Sequence, residues 1–169
     1  CVADAEGNTV SMTTSINGPF GSFMISPETG LLLNNHMNDF SKPGIIGSSR
    51  FQSPPASANF IRPGRKPLSS MSPLIFVKDG QMHMALGASG GPLIITALLQ
   101  VVYNHLGHGI DLEEAIIDPR ISDMLSGITI YERYNKGPVH FEVDESLIKF
   151  LKEKVKSGCL NPLIDWSSV

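Results

Sequence analysis

The spacing of apolar positions changes period several times along the chain, and each change predicts an element. Val2 to Asp4 and the β-branched run TVSMTTS at Thr9 to Ser15 flank the turn residues Ala5-Glu6-Gly7-Asn8, which predicts a hairpin. A further turn at Asn17-Gly18-Pro19 leads to LLLNN at Leu31 to Asn35, which reads as a strand. LIFV at Leu74 to Val77 and MHMAL at Met82 to Leu86 bracket Lys78-Asp79-Gly80-Gln81, where Asp-Gly signals a second hairpin. The apolar period then shifts from two to about 3.6, with Ile95, Leu98, Leu99, Val102 and Leu106 on one face, which predicts a helix. Asp111 is placed to cap LEEAIID before Pro119, and Asp144 to cap ESLIKFLKEKVK, whose end is marked by lysines and Gly158. Ile128 to Glu132 and Val139 to Val143 read as strands between those two helices. Two hairpins, alternating strands and helices, and no internal repeat predict an α+β layered domain rather than a parallel nucleotide-binding sheet.

Between Phe40 and Lys66 the pattern is lost. Pro, Ser and Gly crowd SKPGIIGSSRFQSPPASANFIRPGRK, so residues 40–66 form a long loop, a kind of segment often tied to function in compact domains. The chain has 169 residues, 41% of them hydrophobic, enough for one domain (1–169) with a sizeable core. A formal net charge of −3 offers no basic surface for nucleic acid. The apolar run from Pro92 to Leu106 is broken by Thr96, Gln100, Asn104 and His105 and is too short and polar to span a bilayer. The opening CVADAEGN has neither a charged nor an apolar leader region and no initiator Met, so Cys1 is read as the start of a processed chain or a fragment. Cys1 and Cys159 are the two cysteines, either unpaired or joined in one long-range disulfide. No Cys/His cluster suggests a metal, and no glycine motif suggests a nucleotide cofactor.

Three places carry candidate chemistry. At Ser89-Gly90-Gly91-Pro92 a strand delivers the chain to two glycines, and Pro92 falls in the first helical turn, where its missing N–H costs nothing. Gly90 and Gly91 leave backbone amides uncovered by side chains near the positive end of the helix dipole, an arrangement suited to an anion or a developing oxyanion. The alternative is a tight turn that binds nothing. Ser69-Ser70, bounded by Pro67 and Pro73, offers two hydroxyl donors for a ligand carboxylate, or simply caps local turns. In Asn34-Asn35-His36-Met37-Asn38-Asp39, Asp39 could hold an ammonium group with Asn side chains orienting it, or the cluster could be an Asx turn ending the strand. His36 by itself reads as a partly exposed loop residue.

Taken together, SINGPFGS, LLLNNHMNDFS, SANFIRPGRKPLSSMSP and GASGGPLIIT, in this order and spacing, resemble the small subunit of gamma-glutamyltranspeptidases (glutathione hydrolases), and SPPASANFIRPG is especially similar to the animal enzymes. The resemblance runs from Cys1 to about Arg120. It implies the four-layer αββα sandwich of N-terminal nucleophile hydrolases, in partial form, with no cofactor or metal. It also implies a precursor that cleaves itself, exposing a threonine that attacks the γ-carbonyl of glutathione or a related amide and passes the γ-glutamyl group to water, an amino acid or a dipeptide. Carried onto this chain, Gly90 and Gly91 match the oxyanion-hole glycines, and Ser15 stands where a threonine hydrogen-bonds the nucleophile. Asn17 and Asp39 match residues that grip the α-amino end of the substrate, His36 stands beside them, and Ser69 and Ser70 match the pair that holds the α-carboxylate. The implied partner is the large subunit of the same precursor, and the implied location is the outer face of the plasma membrane.

The resemblance also exposes departures. Cys1 aligns a few residues after the implied threonine, so this chain alone is expected to be inactive. Cys1 as a substitute nucleophile conflicts with that register, which sets it past the point facing the glycines. His36 replaces the usual Glu or Gln, and Pro92-Leu93 replaces a more polar pair. Residues 159–169 read as an atypical tail lacking the family's closing strand. A non-catalytic homologue or splice product, acting as a binding or regulatory partner, is the alternative reading. A generic serine hydrolase built on Ser70 lacks the GxSxG turn.

Overall fold

Asp4 organises the first turn. In the computed structural model, which describes residues 1–44, 55–123, 128–136, 139–154 and 159–165, β1 (Val2–Ala3) pairs antiparallel with β2 (Thr9–Val10). The Asp4 carboxylate accepts Asn8 Nδ2–H at 2.8 Å and the amides of Glu6 and Asn8 at 2.9 Å each. The hydrogen bonds from Asn8, chiefly that of its side chain, and from Glu6 hold Asp4 below the ordinary carboxylate range. The expected hairpin is present, but its second strand ends at Val10 rather than running to Ser15.

The second hairpin follows the sequence closely. β3 (Leu74–Lys78) and β4 (Gln81–Leu86) pair antiparallel with Lys78 opposite Gln81. Asp79 and Gly80 take φ of 53° and 77°, the left-handed pair that a tight two-residue turn requires. The Ser11 hydroxyl donates to the Leu86 carbonyl at 2.8 Å, tying the segment after β2 to the end of β4.

Leu31 to Asn35 does not form the expected strand. A single antiparallel bridge joins Ile25 to Leu32, supported by Leu33 N–H to Met24 O and Ser22 N–H to Leu33 O, both 2.9 Å. Phe20, Gly21 and Phe23 all have positive φ, so the opposing segment is too contorted to continue a ladder. A Cβ on Gly21 would meet the Leu33 carbonyl oxygen at 2.3 Å, which explains glycine there. Of the segment 40–66 expected as a long loop, residues 45–54 lie outside the described residues; in the rest, Ser57–Asn59 form a 3₁₀ turn and Ser41 bridges to Phe60. All of these elements belong to one compact unit, Cys1–Gly47 with Pro55–Gly91.

The second unit comprises Ser48–Pro54 and Pro92–Val169. Helix α1 (Leu93–Val102) passes into a π-helical turn at Tyr103–Gly107. Its buried residues are Ile94, Leu98 and Val101, whereas Ile95 and Leu99 are exposed, so the apolar face expected from sequence is displaced around the axis. The reason lies in two polar side chains. Thr96 Oγ1–H donates to Ser122 Oγ at 2.9 Å, Gln100 Nε2–H donates to Ile121 O at 2.7 Å, and Gln100 Oε1 accepts Ile121 N–H at 2.9 Å. These bonds turn Thr96 and Gln100 toward β5 (Ile121–Asp123).

Helix α2 (Leu112–Ile117) has Asp111 as its N-cap, accepting Glu113 N–H at 2.9 Å, and α3 (Glu145–Lys154) follows Asp144, which accepts Ser146 N–H at 2.7 Å. β6 (Ile128–Lys136) is the hub of the sheet. It runs antiparallel to β5 and to β7 (Val139–Glu142), and parallel to β8 (Cys159–Asp165). Part of the segment read as an atypical tail is therefore a sheet strand, with Ile128 opposite Cys159. Tyr131, Val143 and Ile148 form a core cluster with Ile121 against it. Arg120 clamps Glu132 through Nε–H and Nη2–H, both at 2.8 Å.

Candidate active site

The polar residues that the sequence offered separately are gathered by a 3₁₀ turn, His36–Asp39, and by a left-handed residue, Asn17 (φ 73°). Asn17 tolerates that backbone because its short carboxamide finds local partners. Its amide N–H goes to Ser15 Oγ at 2.8 Å, and its Nδ2 donates to Asn38 Oδ1 at 2.7 Å and to Asn35 O at 3.2 Å. Asn35 in turn accepts Gly18 N–H on its Oδ1 at 3.0 Å. His36 sets Nδ1 2.8 Å from Asp39 Oδ2 and Nε2 3.3 Å from the Ser15 carbonyl. Both partners only accept, and which ring nitrogen donates depends on the tautomer. Ser15, Asn17, His36 and Asp39 thus form one hydrogen-bonded group.

Two acceptors in that group are uncommitted. Among the described residues, Asn17 Oδ1 and Asp39 Oδ1 meet no donor. The His36 and Asp39 side chains retain 27% and 32% exposure, so a ligand can reach them. Acceptors of this kind suit an ammonium group, which donates three hydrogen bonds and accepts none.

Ser69 and Ser70 present the opposite chemistry. Ser69 Oγ accepts Met71 N–H at 3.1 Å, leaving its own O–H to donate outward, and Ser72 Oγ–H holds the Ser70 carbonyl at 3.1 Å. The Ser70 hydroxyl has no partner among the described residues. Two free O–H donors suit a carboxylate.

Gly90 and Gly91 lie beyond the end of β4, both exposed, with φ of 133° and 58°. Among the described residues neither amide donates to a ladder or a side chain, and the space around the Gly91 Cβ position is open. The two N–H groups are left for a ligand, as an oxyanion site requires. Among the described residues no hydrogen bond joins them to the Ser15–Asp39 group; the Ser11 hydroxyl donates to the Leu86 carbonyl at the end of β4.

Asn59 was not singled out in the sequence, yet it organises this region. Asn59 lies inside a loop without periodicity, where nothing in the residue pattern marks it. Cys1 is exposed and unpaired, with Sγ 3.4 Å from Ser11 Oγ, while the side chain of Cys159 lies outside the described residues. Among the described residues no group of three His, Cys, Asp or Glu side chains gathers as metal ligands.

Comparison with known proteins gives this geometry a setting. Residues 1–159 match the family model described as Gamma-glutamyltranspeptidase. Glutathione hydrolase 2 of Arabidopsis thaliana is 46% identical over 171 residues, covering 96% of this chain and 30% of that protein. Glutathione hydrolase 4 of the same plant, named as presumed inactive, is 46% identical over 132 residues, 78% of this chain and 69% of that protein. The crystal structure of a Helicobacter pylori gamma-glutamyltranspeptidase mutant is 34% identical with a TM-score of 0.79, covering 95% of this chain and 81% of that chain. The chain spans less than a third of the length of the first of these relatives.

Proposed function

The chain belongs to the gamma-glutamyltranspeptidase family, and from that premise we propose that it carries the γ-glutamyl-binding portion of a site for acyl transfer from glutathione and related γ-glutamyl compounds. Its fold is the α+β type of the N-terminal nucleophile hydrolases in that family. The observation that carries the reading is the hydrogen-bonded group of Ser15, Asn17, His36 and Asp39, with its two uncommitted acceptors.

In this reading the substrate α-ammonium meets Asp39 Oδ1 and Asn17 Oδ1, and the α-carboxylate accepts from the Ser69 and Ser70 hydroxyls. That leaves the γ-carbonyl for the nucleophile. A threonine hydroxyl, contributed by the segment preceding Cys1 in the full-length product, adds to the carbonyl carbon while its own α-amine takes the proton. The Ser15 hydroxyl is free to orient that nucleophile. Negative charge grows on the carbonyl oxygen and meets the Gly90 and Gly91 amides, which need no rearrangement to receive it. The C–N bond breaks, the amine leaves with the proton, and a γ-glutamyl ester remains. Water or the amine of an amino acid or dipeptide then attacks the ester, releasing glutamate or a new γ-glutamyl amide. The large subunit of the same precursor completes the site.

A second reading, a non-catalytic homologue, draws support from His36, which occupies one oxygen of Asp39, and from the similarity to a relative named as presumed inactive. One experiment separates the two. Purified full-length product is incubated with glutathione, with and without a dipeptide acceptor, and free glutamate and γ-glutamyl dipeptide are quantified. Release of glutamate supports the enzyme; intact glutathione under both conditions refutes it. The codons upstream of Cys1 add a direct check, since any residue other than Thr at the processing position removes the nucleophile.

A further inference from the structure

The two recognition arms lie on either side of the long loop, His36–Asp39 before it and Ser69-Ser70 after it. One side chain links them. Asn59 Nδ2 donates to the Asp39 carbonyl oxygen at 2.8 Å and to Ser41 Oγ at 3.3 Å, while Asn59 Oδ1 accepts the Leu68 N–H at 2.9 Å. Leu68 directly precedes Ser69. The Asn59 backbone is fixed as well: its carbonyl accepts Ser41 N–H at 3.0 Å, and its N–H donates to Ala56 O at 2.9 Å.

We infer that Asn59 is a positioning residue that sets the spacing between the α-amino and α-carboxylate binding arms, and so selects donors that carry both groups. This rests on the proposed γ-glutamyl site. A carboxamide suits the task because it donates and accepts from one rigid plane, so both ends of the link move together. Half-buried, it loses little of that geometry to solvent. Asn59 touches no substrate atom in this account. Its effect appears only when a ligand spans both arms, because a ligand held by one arm is indifferent to the distance between them.

That distinction supplies the test. Full-length wild type and the variants Asn59→Ala and Asn59→Asp are compared for KM toward L-γ-glutamyl-p-nitroanilide. They are also compared for the inhibition constant of 4-aminobutyryl-p-nitroanilide, which keeps the amino group and lacks the α-carboxylate. Asn59→Asp retains an acceptor for Leu68 N–H but cannot donate to Asp39 O, so it probes the link with less loss of local structure. The expected result is a rise of about tenfold in KM for the γ-glutamyl donor in both variants, from loss of one or two hydrogen bonds. The inhibition constant of the single-group ligand and the melting temperature of Asn59→Asp stay near wild type. Equal shifts for both ligands, or no shift for either, overturn the role of Asn59 while leaving the γ-glutamyl site standing. A wild type that cleaves no γ-glutamyl donor overturns both.

Discussion

Asp39 presents its two carboxylate oxygens unequally: Oδ2 lies 2.8 Å from His36 Nδ1, while Oδ1 meets no donor among the described residues. In the proposed site, a substrate ammonium approaching Asp39 meets a carboxylate with one oxygen already held by an imidazole. The pair is about one-third exposed on each side, so the attraction between its members is modest and screened.

Replacing that imidazole should free the carboxylate. His36→Gln keeps a side-chain donor for the Ser15 carbonyl and removes the imidazole from Asp39 Oδ2. The KM for a γ-glutamyl donor is expected to fall about threefold with kcat little changed, in line with the worth of an exposed pair. An unchanged KM in the variant contradicts this role.

The glycine pair should be intolerant of side chains. Gly91 has φ of 58° and Gly90 of 133°, a region that L side chains rarely adopt. Val at both positions strains the backbone and covers the amides, and turnover should be abolished. Gly91→Ala alone is expected to lower kcat about a hundredfold, the usual cost of one disturbed oxyanion donor. Single-turnover kinetics alongside a melting curve would test this, and unchanged turnover in the double variant would remove the glycines from the mechanism.

Gly21 makes a prediction about stability rather than chemistry. A Cβ there would sit 2.3 Å from the Leu33 carbonyl oxygen, with φ at 53°. Backbone cannot yield as a flexible side chain would, so Gly21→Ala should destabilise by about 2 kcal/mol. Chemical denaturation of the two proteins measures it, and equal midpoints with equal slopes contradict the placement.

Acid should weaken the start of α3. Asp144 accepts the Ser146 hydroxyl and amide, with the Leu147 amide adding to the effect, and these bonds hold it below the ordinary carboxylate range. A depressed native value means that the unfolded chain takes up the proton first. The stabilisation is therefore present above about pH 4, the unfolded-state value, and is lost as pH falls through the lower native one. Asp144→Ala should melt earlier than wild type at pH 7, with the gap closing in the acid range. A gap independent of pH rules out the charge as its cause.

What the sequence disclosed tracks how local each signal is. Asp79-Gly80, Asp111 and Asp144 act within a few residues, and each forms the predicted turn or cap. The buried face of α1 differs from its apolar stripe because Thr96 and Gln100, though polar, point at β5 and bond Ser122 and Ile121; apolar periodicity cannot register a polar contact. Leu31 to Asn35 has strand composition, but its opposing segment is bent by Phe20, Gly21 and Phe23, so a ladder never extends. Within the site, residue types suggested what Asp39, Ser69 and Ser70 could bind, whereas the His36–Asp39 contact and the Asn59 link depend on how loops fold back and leave no trace in spacing.

The most direct test compares two anilides on the full-length product, L-γ-glutamyl-p-nitroanilide and glutaryl-p-nitroanilide, which lacks the α-amino group that Asp39 and Asn17 are proposed to hold. The account predicts rapid p-nitroaniline release from the first and little from the second, with Asp39→Asn erasing most of that preference. Equal release from both anilides, or a preference that survives Asp39→Asn, would contradict it.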